Sequence, residues 1–282
     1  MTITASAVKE LRQRTGAGMM DCKKALTEAG GDMEEAVKIL RTKGLAAAAK
    51  KAHRAASEGM VAVAGDASKA AMIELNCETD FVARNETFQE FARSLVEQAA
   101  AEGVGDLEAF KARPFAGDPE HTVEQAISQA IATIGENIVL SRLVYWEAAE
   151  GNAIASYVHM GGKIGVLVEG TASIGEQALR DVAMHVAATD PRFLHREEVT
   201  EEILANEREI ALKQAMDQGK PEHIAQRMVE GKMKKFLEEV VLLEQAFAKD
   251  PSKKVARYVV EHGGEGATIV RYERFRLGEA GQ

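Results

Sequence analysis

The first 44 residues alternate short apolar stripes of helical period with glycines. Ala7, Val8 and Leu11 share one face, which stops at Gly16 and Gly18. Met19, Cys22, Ala25 and Leu26 form a second stripe that ends at Gly30-Gly31. Asp32 is placed to cap a third helix with Glu34 and Glu35 in its first turn, and Val37 and Leu40 carry the stripe to Gly44. This spacing predicts three short helices around a small core. Leu45 to Ala56, alanine-rich and bearing Lys50, Lys51 and Arg54, reads as a helix or tether leading away.

The period then changes to two. Met60 to Val63, a turn at Gly65-Asp66 and Ala70 to Leu75 predict a β-hairpin. A helix follows from Asn85 to Ala101, with Phe88, Phe91, Ala92 and Leu95 on one face, and Gly103 to Pro119 reads as an insertion or loop. A helix over Thr122 to Ile134 and a strand over Ile138 to Trp146 complete this stretch. A similar plan then recurs: a hairpin from Ala153–His159 and Lys163–Glu169 about Gly161-Gly162, a helix near Gly175–Ala188 and a last strand at Thr268–Arg276. The echo is one of element order and not of sequence. It predicts an α+β fold of two related halves, each an antiparallel sheet packed on helices.

Between that helix and the last strand lie two charged helical runs, Glu197–Gln218 and Pro221–Glu244, joined at Gly219-Lys220-Pro221. Val199, Ile203 and Ile210 are placed to face Ile224, Met228 and Phe236 in an antiparallel helical hairpin. The expected division is thus residues 1–55 (N-terminal helices and tether), 56–150 (first core half), 151–190 with 245–282 (second core half and C-terminal module) and 191–244 (hairpin).

Charge changes the picture. The 282 residues carry 35 Lys and Arg against 44 Asp and Glu, a net charge of −9, which argues against wrapping nucleic acid. Residues 1–54 hold 11 of the cations but only 6 of the acids, marking the N-terminal piece as a separate unit. Two cysteines, Cys22 and Cys77, are too few for a disulfide scaffold and suit a reducing compartment. No basic stretch followed by an apolar core opens the chain, and no apolar run approaches the roughly 20 residues of a membrane span, so a cytoplasmic protein is expected.

Enzyme motifs are missing. Gly161-Gly162-Lys163-Ile164 lacks the spacing and hydroxyl of a phosphate-binding loop, and no G-x-G-x-x-G follows a strand. The seven histidines never pair as H-E-x-x-H, and no G-x-S-x-G elbow occurs. Cys77 near Asp80 has no local histidine and reads as a small buried hydrophobe rather than a nucleophile. No catalysis, metal or cofactor is expected. Three features stand out instead. Thr79-Asp80-Phe81-Val82, between a strand and a helix, either staples the next helix or projects to a partner. Met19 and Met20, near Arg12, cannot both face one helix's core, so one is expected at the surface, either incidentally or for a partner groove. The charged hairpin is either a solvated arm or a surface for another protein.

Val8–Leu26, Asn76–Ala83, Ile134–Asn137, Gly162–Val168, Met184–Ala188 and Met228–Phe236 form a collinear pattern that resembles the bacterial elongation factor Ts family, guanine-nucleotide exchange factors of elongation factor Tu. The resemblance implies a translation factor that binds GDP-bound elongation factor Tu and promotes exchange of GDP for GTP. It implies an N-terminal module similar to a ubiquitin-associated domain, whose Arg12, Met19 and Met20 dock on the nucleotide-binding domain of the partner. Thr79 to Val82 match the segment that intrudes beside the partner's Mg²⁺ site, with Asp80 and Phe81 as the intruding side chains. His159, after Tyr157, matches a histidine near a surface gripping another domain of the partner. The hairpin matches a coiled-coil element through which two copies can dimerise, and the chain from Thr268 matches a small C-terminal module. Gly103–Pro119 is longer than in some members, and Ala246 stands where proline is common. The rival reading is a non-catalytic adaptor built on the ubiquitin-associated-like module.

Overall fold

The computed structural model describes residues 3–217 and 221–279. Its first three helices are α1 (Ala5–Thr15), α2 (Met19–Glu28) and α3 (Met33–Lys51). Thr4 Oγ1 accepts from Ala7 N, and Asp32 accepts from Glu35 N at 2.8 Å, so both caps satisfy amides that the helices leave free. Val8, Leu11, Cys22, Ala25, Leu26, Ala36 and Leu40 form the core of this unit. Contrary to the expected stop at Gly44, α3 runs on to Lys51. The four alanines after Leu45 are the strongest helix formers available. Gly44 instead marks close packing, because a Cβ there would lie 3.0 Å from Gln129 Oε1.

The body follows as β1 (Glu58–Gly65), β2 (Lys69–Cys77), the single turn α4 (Asp80–Ala83), α5 (Glu86–Glu102), α6 (Leu107–Lys111), β3 (Pro114–Phe115), β4 (Asp118–Thr122), α7 (Val123–Ile134) and β5 (Val139–Glu147). It continues as β6 (Asn152–His159), β7 (Ile164–Thr171), α8 (Glu176–Thr189), α9 (Glu201–Asp217), α10 (Glu222–Val240), β8 (Ala246–Phe247), β9 (Asp250–Lys254), α11 (Val255–Gly263) and β10 (Ile269–Arg276). Two antiparallel three-stranded sheets result, ordered β1-β2-β5 and β6-β7-β10, which is the α+β arrangement expected. The final strand pairs with β7 along its length, so it belongs to the second sheet.

Two readings need correction. Gly103–Pro119 is no plain loop but holds α6 and the start of the β3–β4 hairpin, while β8, β9 and α11 have no counterpart among the predicted elements. Both corrections come from one overlooked repeat. Phe115-Ala116-Gly117-Asp118-Pro119 leads into α7 as Phe247-Ala248-Lys249-Asp250-Pro251 leads into α11, so the echo does extend to sequence. The equivalence holds in detail: Ala116 N donates to Gln98 Oε1 of α5 at 2.8 Å, and Ala248 N donates to His185 Nδ1 of α8 at 3.0 Å. Val123 N and Val255 N, opening α7 and α11, reach back to the carbonyls of Arg113 and Gln245. β3 and β8 are too short to show a period of two, and β4 and β9 are polar throughout, which hid them.

Each sheet packs one face on its own helices and the other on its partner sheet, through Val61, Met72, Trp146, Ile154, Leu167 and Phe275. Gly165 makes this fit possible, since a Cβ there would come within 2.4 Å of Val61 Cγ1. Two buried glutamates cross the layer in matching positions. Glu74 accepts from Arg142 Nε at 2.7 Å and from Gly278 N; Glu169 accepts from Arg271 Nε at 2.7 Å and from Ala149 N. Arg142 stacks on Phe275 of the other sheet and donates to Arg276 O, while Arg271 stacks on Trp146 and donates to Glu147 O. Burial pushes the Glu169 carboxyl up, but the bonds from Ala149, Asn152 and Arg271 outweigh it and hold it below its ordinary value.

The α9–α10 hairpin projects between α8 and β8. Its base packs Val199, Ile203, Phe236, Leu237 and Val241, as expected in part. Farther out the seam consists of Ala211, Ala215 and Ala225, while Ile210 and Ile224 are exposed. The contact stripe lies one residue on from Ile210, a rotation of about 100°, and small side chains let the helices approach closely. The joint at Gly219-Lys220 falls outside the described residues.

Breaking one partner of these glutamate–arginine pairs should be severe. Arg271→Met, which strands Glu169 in the layer, is expected to cost about 3 kcal/mol in urea unfolding. Burial lowers the pKa of His185, an effect only partly offset by its bond to Gln245, so the folded form holds this histidine neutral. The unfolded chain takes up that proton below about pH 6.5, so stability present above that pH is lost as pH falls. His185→Gln, which copies Gln98 of the first half, is expected to remove this part of the acid sensitivity in pH-dependent melting curves.

Candidate partner-binding site

Strand β2 ends at Cys77, and the chain turns at Thr79 into α4. Thr79 caps this turn, its Oγ1 accepting from Val82 N at 3.4 Å. Val82 packs on the first-half core and Ala83 is buried, whereas Phe81 points away with 82% of its surface exposed. Asp80 forms a 3.0 Å ion pair with Arg84 on the same surface. The segment therefore divides the two sequence readings: Thr79 and Val82 staple, while Phe81 projects. A phenylalanine left this bare is unusual for a residue that normally buries a large apolar area.

The base of the turn is braced by the chain that leads into β5, the strand paired with the end of β2. Gly135, at φ +94°, ends α7 and lets the chain turn back, and Glu136 then reaches the end of β2. Its Oε2 accepts from the amides of Glu78 and Thr79, both at 3.0 Å, and its Oε1 accepts from Thr79 Oγ1 at 2.6 Å. Asn137 N donates to Glu78 Oε1 at 2.7 Å, and Asn137 Nδ2 donates to the carbonyl of Arg54, whose guanidinium pairs with Glu78. Glu136 falls within the Ile134–Asn137 stretch of the family pattern, but no period or residue spacing in the sequence marks it as a brace for Thr79. Cys77 donates to Thr79 O, and burial, with Glu136 adding to it, pushes its thiol up to about 12. A thiol held there is no nucleophile at neutral pH.

The β6–β7 turn lies at the same end of the body. Val61 N donates to Gly162 O at 2.7 Å, and Lys163 pairs with Glu58, which stands opposite Cys77 in the β1–β2 register. His159, half-buried, pairs its Nδ1 with Tyr157 Oη at 2.8 Å. Beside it Met160 has a positive φ of +51° and is 72% exposed. For a methionine that backbone conformation is uncommon.

Arg12, Met19 and Met20 sit on the N-terminal unit. Both methionines are exposed, Met19 at 60% and Met20 at 63%, against the expectation that one is a core residue. Cys22, Ala25 and Leu26 already fill the buried face of α2, and Met19 opens the helix one turn before Cys22 at the rim. Arg12 is exposed as well. This unit is fastened to α7: Gln129 Nε2 donates to Thr15 O at 3.1 Å, and Lys51 Nζ to Ile131 O at 3.2 Å. A groove of about 820 Å³ runs between the two, with Leu40, Leu45, Phe91 and Phe115 among its walls.

Among the described residues no helix is long and apolar enough to cross a membrane, and no three His, Cys, Asp or Glu side chains gather to hold a metal ion.

The family model described as Elongation factor TS matches residues 78–279, from the brace at Glu78 to the end of the second sheet. Elongation factor Ts of Syntrophotalea carbinolica is 50% identical over 99% of this chain and 94% of its own length. Elongation factor Ts of Trichlorobacter lovleyi is 46% identical over the same shares. On this likeness, which covers both sheets, the hairpin and the N-terminal helices, the chain belongs to the elongation factor Ts family of translation elongation factors.

Proposed function

We propose that this chain binds GDP-bound elongation factor Tu in the cytoplasm and speeds GDP release by disturbing the partner's Mg²⁺ and nucleotide site. The observation that carries the reading is Phe81: a large apolar side chain, almost wholly solvent-exposed, on a turn whose base is tied by hydrogen bonds. Mg²⁺ demands a near-ideal octahedron of oxygens, so a small displacement of the protein behind it weakens its hold. Phe81 supplies the displacement, and Asp80 offers a carboxylate that competes for polar contacts nearby. Met19 and Met20, exposed on the unit that also exposes Arg12, give a separate apolar foothold, and His159 with Met160 gives a third.

The reading calls for no covalent chemistry by this chain, in keeping with a cysteine thiol held up near 12. Exchange by binding is a linkage: whatever factor the chain takes from GDP affinity, GDP takes from the affinity of the chain. A 10⁴-fold effect needs a differential of about 5.5 kcal/mol, more than one side chain provides, so several separated contacts are required.

The test is stopped-flow release of a fluorescent GDP from elongation factor Tu. Addition of this chain is expected to accelerate release; unchanged release would overturn the reading and leave the adaptor alternative. Asp80→Ala with Phe81→Ala is expected to lower the maximal release rate by roughly 30-fold, the equivalent of about 2 kcal/mol, with docking largely kept. Met19→Ala with Met20→Ala is expected to do the reverse, raising the concentration for half-maximal release roughly tenfold at an unchanged plateau.

A further inference from the structure

The two halves of the body make the same joint in different ways, and the difference isolates one side chain. In the second half, β7 passes to α8 through a tight turn at Ala172–Ile174. That joint closes on the start of β10 with neutral groups. Thr171 N donates to Thr268 O at 3.0 Å, Thr268 N donates to Thr171 Oγ1 at 3.1 Å, and Ser173 Oγ donates to Gly263 O. Ile174 is buried there, and no large apolar side chain of the turn is exposed.

In the first half the equivalent passage from β2 to α5 includes α4 and carries Phe81 outward. Here a carboxylate, Glu136, closes the joint, taking two backbone amides and one hydroxyl. Hydrogen bonds to an ionised acceptor are roughly twice as strong as neutral ones. Thr79 Oγ1 donates to Glu136 while accepting from Val82 N, so carboxylate, hydroxyl and turn amide form one chain of bonds. A single helical turn has no stability of its own, and Phe81 is too exposed to anchor it. Its orientation must come from its base.

The geometry points to Glu136 as the positioning residue of the projecting turn: its carboxylate sets the angle at which Asp80 and Phe81 leave the body. What the turn acts on rests on the exchange reading above; the clamp itself does not. Glu136 is half-buried at the base of the turn. It acts through Thr79, and the neutral closure of the second half shows that the fold can make this joint without a carboxylate.

Two measurements on the full chain test this. Hydrogen–deuterium exchange of the isolated protein reads the clamp directly. In Glu136→Ala the amides of Glu78 and Thr79 should exchange roughly ten- to a hundredfold faster, while those of β1 and β5 stay protected. Release of fluorescent GDP from elongation factor Tu reads the consequence. The plateau rate should fall on the order of tenfold in Glu136→Ala, with the half-saturating concentration unchanged within about twofold. Glu136→Gln, which keeps the length and one acceptor oxygen, should recover much of the rate; Glu136→Asp, one methylene short of the amides, should not. Thr79→Val, which removes a single bond, should show a few-fold loss in both measurements and serves should Glu136→Ala fold poorly. Unchanged amide exchange, a loss confined to the half-saturating concentration, or no difference between the Gln and Asp variants would overturn the assignment. If the wild-type chain fails to release GDP while the amides respond as described, the exchange reading falls and the clamp stands.

Discussion

Two carboxylates cross the layer between the sheets, and the arrangement of the molecule hangs on how they are met. Glu74 and Glu169 occupy matching positions on the central strands, each bound by an arginine from the neighbouring strand, and each arginine then stacks on an aromatic ring of the opposite sheet. A buried charge tolerates only the geometry that neutralises it, so this paired clasp admits one register of sheet on sheet. A slide by one residue would keep the glutamate–arginine pairs, which lie within each sheet, but would lose the bonds from Gly278 N and Ala149 N and both ring stacks. The turns obey the same symmetry: Val61 N reaches the β6–β7 turn at Gly162, and Ile154 N reaches the β1–β2 turn at Ala67. The register thereby brings His159 and Met160 to the end of the body where β2 releases Thr79 to Val82.

Within this symmetric frame the chemistry of contact is asymmetric. The first half extends its β2–α5 joint into a projecting turn; the second keeps its joint closed and instead accepts a helical hairpin between α8 and β8. The repeat offers two equivalent places to elaborate, and each is used differently. The N-terminal helices expose Met19 and Met20 and are held to the first half by Gln129 and Lys51.

Much of this architecture was legible in the sequence because its main elements are long and strongly periodic. The hairpins about Gly65 and Gly161, the helices carrying Phe88 and Leu179, and the last strand all lie within a few residues of their expected bounds. The β3–β4 and β8–β9 hairpins escaped because β3 and β8 are two residues long and β4 and β9, Asp-Pro-Glu-His-Thr and Asp-Pro-Ser-Lys-Lys, hold no apolar alternation, although the repeated Phe-Ala-x-Asp-Pro run marks both. Gly44 misled because glycine is read as a helix stop, whereas here it gives α7 room to approach. The projecting residues were visible as candidates by type, but exposure is a property of packing, and the bracing role of Glu136 depends on two segments some 57 residues apart. No local pattern announces such a meeting.

The unbroken course of α3 has a mechanical meaning. A loose strap at Gly44 would let the N-terminal helices swing, and every encounter with another protein would have to freeze that wandering anew. A single rod of 19 residues, bolted to α7 near its far end, removes most of the search beforehand. Under the multi-contact reading proposed above, a first foothold would hold the next within reach at high effective concentration, with little entropy left to lose.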